Sequence, residues 1–293
     1  MSEFKSGYVA IAGPPNAGKS TLLNRLLGEK YSITSRKPQT TRNRILGVVH
    51  RPASQIVFLD TPGVHKTTST LNVRMVDIAL STFGDADALL LMLDVSSPDN
   101  PSALYLVDKL EKLAKPVILA LNKIDCIKKP ELLSHIKQWS TVFPFKAIVP
   151  VSAKQGDQVD DLLLEIEKVL PEGQPLFPDD AITDLSQRFF VSEMIREKVF
   201  RLTGQEIPYS AAVTVDSFSS RKDLVKIDAT IHVEKDSQKG IVIGKGGSKL
   251  KQIGEDSRKE IERMLDRKVF LKLFVRVQKN WTRDSKAIAK FGV

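Results

Sequence analysis

Residues 13–20 read Gly-Pro-Pro-Asn-Ala-Gly-Lys-Ser, a glycine-rich loop directly after the apolar run Gly7–Ala12. A loop of this pattern needs a buried strand on one side and a helix on the other, so it commits the first part of the chain to a layered α/β sheet. Three further motifs follow in order: Asp60-Thr61-Pro62-Gly63, Asn122-Lys123-Ile124-Asp125 and Ser152-Ala153-Lys154. Each comes after a predicted strand.

The spacing of apolar residues predicts the rest. Strands are expected over Gly7–Ala12, Arg44–His50, Gln55–Asp60, Asp87–Asp94, Pro116–Leu121 and Lys146–Val151. Asp87–Asp94 and Pro116–Leu121 are almost continuously apolar, as inner parallel strands are. Helices are expected over Lys19–Leu27, Leu71–Phe83, Ser102–Leu113, Pro130–Trp139 and Gln158–Leu170. The predicted class is a three-layer P-loop NTPase sheet, mixed and mostly parallel, over residues 1–170. Three prolines within 171–178 then stop the last helix and predict an extended linker over 171–180.

The four motifs point to a guanine nucleotide. The loop's backbone N–H groups and the positive end of its helix suit phosphates. Pro14 and Pro15 have no N–H, so the cradle falls to Asn16, Ala17, Gly18, Lys19 and Ser20; Gly13 and Thr21 complete the GTP-binding candidates. Gly18 allows close approach, Lys19 reaches the β- and γ-phosphates, and Ser20 offers a hydroxyl to Mg2+. Asp60 is a second Mg2+ candidate, and Gly63 aims a bare N–H at the last phosphate. The stretch Gly28–Asn43 contains Thr40 and Thr41, of which Thr41 is expected to complete the metal shell. Asn122 and Asp125 are the base-reading candidates. A buried Asp125 accepts from guanine's two donors and would be left unpaired by adenine. Lys123 lies along the base, and Ser152, Ala153 and Lys154 close the pocket, with Ala153 N–H directed to the guanine oxygen.

Residues 7–170 resemble the translation-factor class of Ras-like GTPases, and Ser35-Arg36-Lys37-Pro38-Gln39-Thr40-Thr41-Arg42 resembles the effector loop of the Era family. The resemblance implies a GTP/GDP cycle with Lys19, Thr41 and Gly63 as the catalytic group. Val64 stands where a Ras-type enzyme has a water-orienting glutamine, and a valine cannot orient water. His65 is the nearest substitute. Backbone, a loop threonine or an outside group are the other sources, so slow intrinsic hydrolysis is expected. In GTPases of this resemblance an asparagine at the place of Asn16 can hold K+ against the phosphates. The alternative is that Asn16 only caps the loop or helix.

The remainder, residues 181–293, is predicted to be a second domain. Of the net charge of +9, residues 1–180 hold 21 Lys+Arg against 20 Asp+Glu, and Lys239–Lys290 holds 15 against 6. A surplus at one end points to a polyanion, or else to a solvated basic face. The predicted order is helix Leu185–Leu202 (capped by Thr183 or Asp184), strands Ser210–Ser217 and Leu224–Glu234, helices Ser237–Ile243 and Ser248–Leu265, and strand Lys268–Gln278. Between the last two helices lies Gly244-Lys245-Gly246-Gly247. This α-β-β-α-α-β order with a GxxG loop resembles a type II KH domain, a smaller α+β fold whose loop grips about four nucleotides of a single strand. Ile243, Gly244, Lys245, Gly246, Gly247, Lys249 and Lys251 are the RNA-binding candidates. Ile241, Val242 and Ile243 lie just before the loop and Leu250 and Ile253 after it, and some of these are expected to wall the groove that holds the bases.

Thr183–Phe189, Glu206-Ile207-Pro208-Tyr209 and the GKGG helix also resemble the Era family, so the resemblance covers essentially the whole chain. It implies binding of small-subunit (16S) ribosomal RNA near its 3′ end, a role in small (30S) subunit assembly, and peripheral contact with the inner membrane; a monomer is the expectation, though the sequence leaves oligomeric state open. The competing reading is a membrane-associated regulatory GTPase whose basic domain docks anionic lipid. It lacks support from any acylation or prenylation motif. The longest apolar run, Ala88–Leu93, is too short to span a bilayer, and the only cysteine is Cys126. A cytoplasmic protein is the expectation.

Overall fold

The computed structural model describes residues 4–29, 32–33, 41–203, 207 and 210–291. Two compact units emerge, one built mainly on residues up to Asp184 and one from Leu185 onward. In the first, the elements run β1 (Lys5–Ala12), α1 (Lys19–Leu27), β2 (Ile45–Arg51), β3 (Ser54–Asp60), α2 (Thr70–Asp85), β4 (Ala88–Asp94), α3 (Asn100–Glu111), β5 (Val117–Asn122), α4 (Lys129–Ser140), β6 (Ala147–Val151) and α5 (Val159–Val169). The sheet order is β2-β3-β1-β4-β5-β6. Only β2 runs antiparallel to its neighbour, β3, so the expected mixed, mostly parallel sheet is what forms. Strands β3 and β5 are buried at every residue, which is why they read as unbroken apolar runs.

This topology places the motifs. β1 has β3 on one side and β4 on the other, so the chain order reverses at β1 and a crevice opens beyond its carboxyl end. The glycine loop leaves β1 there. Asp60, Asp94 and Asn122 are the last residues of β3, β4 and β5, and Ser152 follows β6. Five strand ends thus deliver polar groups to one edge.

The segment expected to be a linker is strapped to this unit. Gly173 N–H donates to Phe4 O at 3.0 Å, and Ser6 Oγ donates to Gln174 O at 2.6 Å. Gln55 accepts from the N–H groups of Leu176 and Phe177 and donates back to Phe177 O. Val48 N–H donates to Ile182 O at 2.8 Å. The segment is extended over 171–175, bends at 176–177 and closes a turn with Ala181 N–H donating to Pro178 O at 3.0 Å, while the edge of the first unit satisfies much of its backbone.

The second unit runs α6 (Gln187–Leu202), β7 (Ala212–Ser220), β8 (Val225–Val233), α7 (Asp236–Ile243), α8 (Ser248–Leu265), β9 (Val269–Val277) and α9 (Ser285–Lys290). Its sheet order is β7-β8-β9, antiparallel then parallel. The alternating Val225, Ile227, Ala229, Ile231 and Val233 all face its core, as their period of two predicted. Two expectations are corrected. Ser186, not Thr183 or Asp184, caps α6, its Oγ accepting from Phe189 N–H at 3.3 Å. The chain also continues beyond β9 into α9, anchored by fully buried Trp281, whose Nε1 donates to Ser210 O at 2.9 Å. Among the described residues no helix is long and apolar enough to cross a membrane.

Candidate functional site

The glycine loop bends through Asn16 (φ 64°) and Gly18 (φ 102°) before α1 begins at Lys19. Two constraints make position 18 a glycine: the left-handed backbone, and Asn122 Nδ2 standing where a Cβ would sit. Ala17 is buried, and Thr21 lies half-buried in the first turn of α1. Lys19 is buried, and its Nζ donates to the carbonyls of Gly13 (3.1 Å) and Pro14 (2.9 Å). Burial lowers its pKa to about 8, partly offset by the negative charge of Asp60. The result is a cation held against the loop with few partners for its charge.

Ser20 and Thr41 meet Asp60. Ser20 Oγ lies 2.8 Å from Thr41 Oγ1 and donates to Asp60 Oδ2 at 2.7 Å, while Thr41 Oγ1 reaches the same oxygen at 3.4 Å. Ser32, not foreseen from sequence, approaches it at 3.3 Å. Asp60 is fully buried, and its other oxygen, Oδ1, has no partner among the described residues. Burial raises its pKa against the pull of Lys19 and the three hydroxyls. A buried carboxylate with an orphaned oxygen and two adjacent hydroxyls is a hard-cation donor set, so these residues fit Mg2+. Thr40 and residues 34–39 lie outside the described residues.

Asn122 does something the motif alone did not reveal. Its Nδ2 donates to Ala17 O at 2.8 Å and its Oδ1 accepts Ala153 N–H at 2.9 Å, so both ends of one buried amide tie the phosphate loop to the Ser152–Lys154 loop. The Ala153 N–H, expected to point at the guanine oxygen, is therefore directed to Asn122. Asp125 is exposed rather than buried. Its Oδ1 accepts from Ser152 Oγ at 2.7 Å, and that bond is the main reason its pKa is lowered. Lys123 pairs with Asp94, whose Oδ1 also accepts from Ser96 N–H at 2.9 Å. Arg25 of α1 donates through Nε to Ala153 O at 2.8 Å and through Nη2 to Lys154 O. Neither Asp94 nor Arg25 was legible, since neither belongs to a motif. Their signal is position: the last residue of β4, and the last turn of the phosphate helix.

After Asp60 the chain turns back onto the phosphate loop. A Cβ at Gly63 would meet Pro15 Cα at 2.8 Å, and Val64 N–H donates to Gly13 O at 3.2 Å. The Val64 side chain is fully buried in the core, so this position packs the loop down. His65 is half-buried, with its Nδ1 enclosed and unpartnered among the described residues. Asn16 is exposed, and its side chain makes no hydrogen bond to the described residues. It caps nothing.

In the second unit Gly244 (φ 73°), Gly246 (φ 58°) and Gly247 (φ 80°) form a turn that no run of L side chains would follow, and α8 starts at once. Lys245 is exposed, Lys249 is half-buried, and a Cβ on Gly244 would strike Lys249 Cβ at 2.8 Å. A groove lies between α8 and β9, lined by Gly247, Leu250, Lys251, Arg258, Leu271 and Leu273 among others. Leu250 is a wall, as expected. Val242 and Ile253 are not: both are buried in the core. Ile243 is half-buried and Ile241 exposed, and neither lines the groove. Of the second resemblance, Glu206, Pro208 and Tyr209 lie outside the described residues.

Fold and site together define a class: a P-loop GTPase joined to a KH domain. The comparisons agree. A family model described as 50S ribosome-binding GTPase matches residues 8–123, and a KH domain model matches residues 206–282. The GTPase Era of Geobacter sp. (strain M21) is 54% identical over 295 residues, covering 100% of this chain and 99% of that protein. GTPase Era of Geotalea uraniireducens (strain Rf4) is 52% identical, covering 99% and 98%. A crystal structure of Era in complex with MgGDPNP and nucleotides 1506–1542 of 16S ribosomal RNA superposes with a TM-score of 0.96 at 42% identity, covering 99% of each chain. Aquifex aeolicus Era bound to GDP.AlF4- gives 0.94, also at 42% identity and 99% of each chain. The chain belongs to the Era family of GTPases.

Proposed function

We propose that this GTPase is a switch that grips single-stranded 16S ribosomal RNA near its 3′ end and assists assembly of the small (30S) subunit. The observation carrying the nucleotide half is the meeting of Ser20 and Thr41 on Asp60 Oδ2, with Asp60 Oδ1 buried and unpartnered among the described residues. These three hold Mg2+, which neutralises charge developing on the transferred phosphoryl group. Lys19 adds its ammonium to the β- and γ-phosphates, and Gly63 N–H faces the γ-phosphate. Asp125, aimed by Ser152, accepts from guanine's two donors, while Asn122 holds the two flanking loops in register.

With Val64 buried in the core, no side chain of that motif orients water, and unassisted hydrolysis is slow. Asn16, exposed at the loop's rim, holds K+ against the phosphates. Turnover is therefore faster in potassium than in sodium, and Asn16→Ala removes the difference; equal rates in both salts reject this role.

The RNA half rests on the GKGG turn, Lys249 and Lys251 at the start of α8, and the adjoining groove. The relative crystallised with MgGDPNP and 16S nucleotides 1506–1542 supports it. That RNA is far longer than the roughly four nucleotides a KH clamp holds. The protein works in the cytoplasm; peripheral contact with the inner membrane would draw on the same basic unit. The test is Lys245→Asp with Gly246→Asp. Nothing lies within 4 Å of a Cβ at 246, and aspartate tolerates the left-handed backbone, so the change is mainly electrostatic. Loss of RNA binding with unchanged GTP affinity supports the assignment, and normal RNA binding overturns it.

A further inference from the structure

The KH sheet has a second face. Strand β9 is an edge strand with alternating exposure: Leu271, Leu273 and Val275 pack on the core, while Phe270, Lys272, Phe274 and Arg276 point the other way. Phe270 is 55% exposed and Phe274 45%, large values for aromatic rings in a strand. On the neighbouring β8, Lys226 stands beside Phe270 and Thr230 beside Phe274. Lys272 Nζ sits 4.9 Å from the centre of the Phe274 ring.

One end of this face is already covered. Phe291 packs against His232 with ring centres 4.5 Å apart and planes tilted by 44°, and meets Trp281 edge-on at 5.0 Å. The chain following β9 therefore shields His232, while the Phe270–Phe274 end stays open. Two carboxylates share the face, and hydroxyls occupy both. Asp216 accepts from Thr214 (3.0 Å) and Thr230 (2.6 Å), and Asp228 accepts from Ser217 (2.8 Å). Both carboxylates keep their charge, Asp228 across from Lys272 and Asp216 near Phe274, and they share the face with the cations Lys226, Lys272 and Arg276.

Exposed rings interleaved with lysine and arginine on an open strand are the chemistry of single-strand stacking: π-faces for bases, ammonium and guanidinium for phosphates. Four residues along a strand separate the rings by about 13 Å, so each takes its own base, with Lys272 between them. Lys272 also borders the GKGG groove, so groove and platform meet at β9. We infer that Phe270 and Phe274 form a second stacking site for single-stranded RNA, which receives nucleotides leaving the GKGG groove across the edge of β9. This rests on the RNA-binding reading above.

Two single-stranded RNAs test it by fluorescence anisotropy in the full chain: one just long enough to fill the groove, one extended by several nucleotides at both ends. Phe270→Ala with Phe274→Ala weakens the long RNA tenfold or more, toward the affinity of the short one, and leaves the short one unchanged. Phe270→Leu with Phe274→Leu keeps apolar bulk, removes the π-face and gives the same loss, which separates stacking from folding. Should both double variants bind the long RNA as the parent does, the platform is wrong. The same holds if the rings prove to bind a protein and not RNA. If Lys245→Asp with Gly246→Asp leaves both RNAs bound, the KH reading itself falls. If that variant releases both while the phenylalanine variants are silent, only the platform falls.

Discussion

Asn122 Nδ2 fills the space that any side chain at position 18 would need, and Gly18 is the residue that leaves that space open. The pairing joins the phosphate loop after β1 to the base-reading loop after β5, and through Ala153 to the loop after β6. The proposed phosphate grip and base recognition would thus share one hydrogen-bonded assembly.

Asn122→Ala strands a carbonyl at Ala17 and an N–H at Ala153. Unsatisfied buried groups cost about 1–3 kcal/mol each. GTP and GDP affinities should both fall by about tenfold or more, and the first unit should melt earlier. Calorimetry and thermal unfolding check this; wild-type affinity for both nucleotides would mean that the tie is dispensable.

Arg25 is a positioning residue for the same assembly, acting on the carbonyls of Ala153 and Lys154. Arg25→Ala should weaken guanine nucleotides several-fold while leaving inorganic triphosphate binding unchanged. Arg25→Lys should recover part of the loss. An equal loss for triphosphate would point to general unfolding of α1.

Ser152→Ala removes the bond that chiefly keeps the Asp125 pKa low. A depressed carboxylate stays charged until pH falls through its folded-state value, so guanine recognition persists into acid. In the variant, GTP affinity should begin to fall at a higher pH. Titration between pH 6 and pH 4, with ATP as comparison, reads the shift.

Much of this was visible in the residues, and the remainder has physical reasons. Helices α1 and α8 begin and end where expected because glycine turns bracket the first and open the second. The meeting of Ser20, Thr41 and Asp60, proposed to hold Mg2+, was legible because Ser20 and Asp60 sit in motifs. Asn122's double tie was not, since it spans 105 residues of sequence to Ala17 and depends on β5 ending beside the loop. The exposure of Asp125 was misjudged because a motif records chemistry but not how far its loop stands from the core. The α9 cover escaped notice because its anchor, Trp281, reads as an isolated aromatic in a basic tail.

Lys19 gives a proton-linked signature. Its folded-state value near 8 lies below its ordinary 10.5, so between those values the unfolded chain binds the extra proton. Stability of the protein without nucleotide should therefore rise with pH across that window. Bound phosphates favour the ammonium, so GTP affinity should fall as pH rises from 7 through 8. Measurements should stop before guanine's own ring N–H titrates. Lys19→Arg, charged throughout, should flatten the slope; an unchanged slope would assign the proton elsewhere.

The most direct test of the switch is RNA affinity in the two nucleotide states. Coupling between sites is reciprocal, so a GTP state that controls the KH groove must bind RNA with a different affinity from the GDP state. With Mg2+ and a non-hydrolysable GTP analogue, single-stranded RNA carrying the 16S 3′ end should bind at least tenfold more tightly than with GDP. Lys245→Asp with Gly246→Asp should remove binding in both states. Equal affinity in the two states would contradict the account.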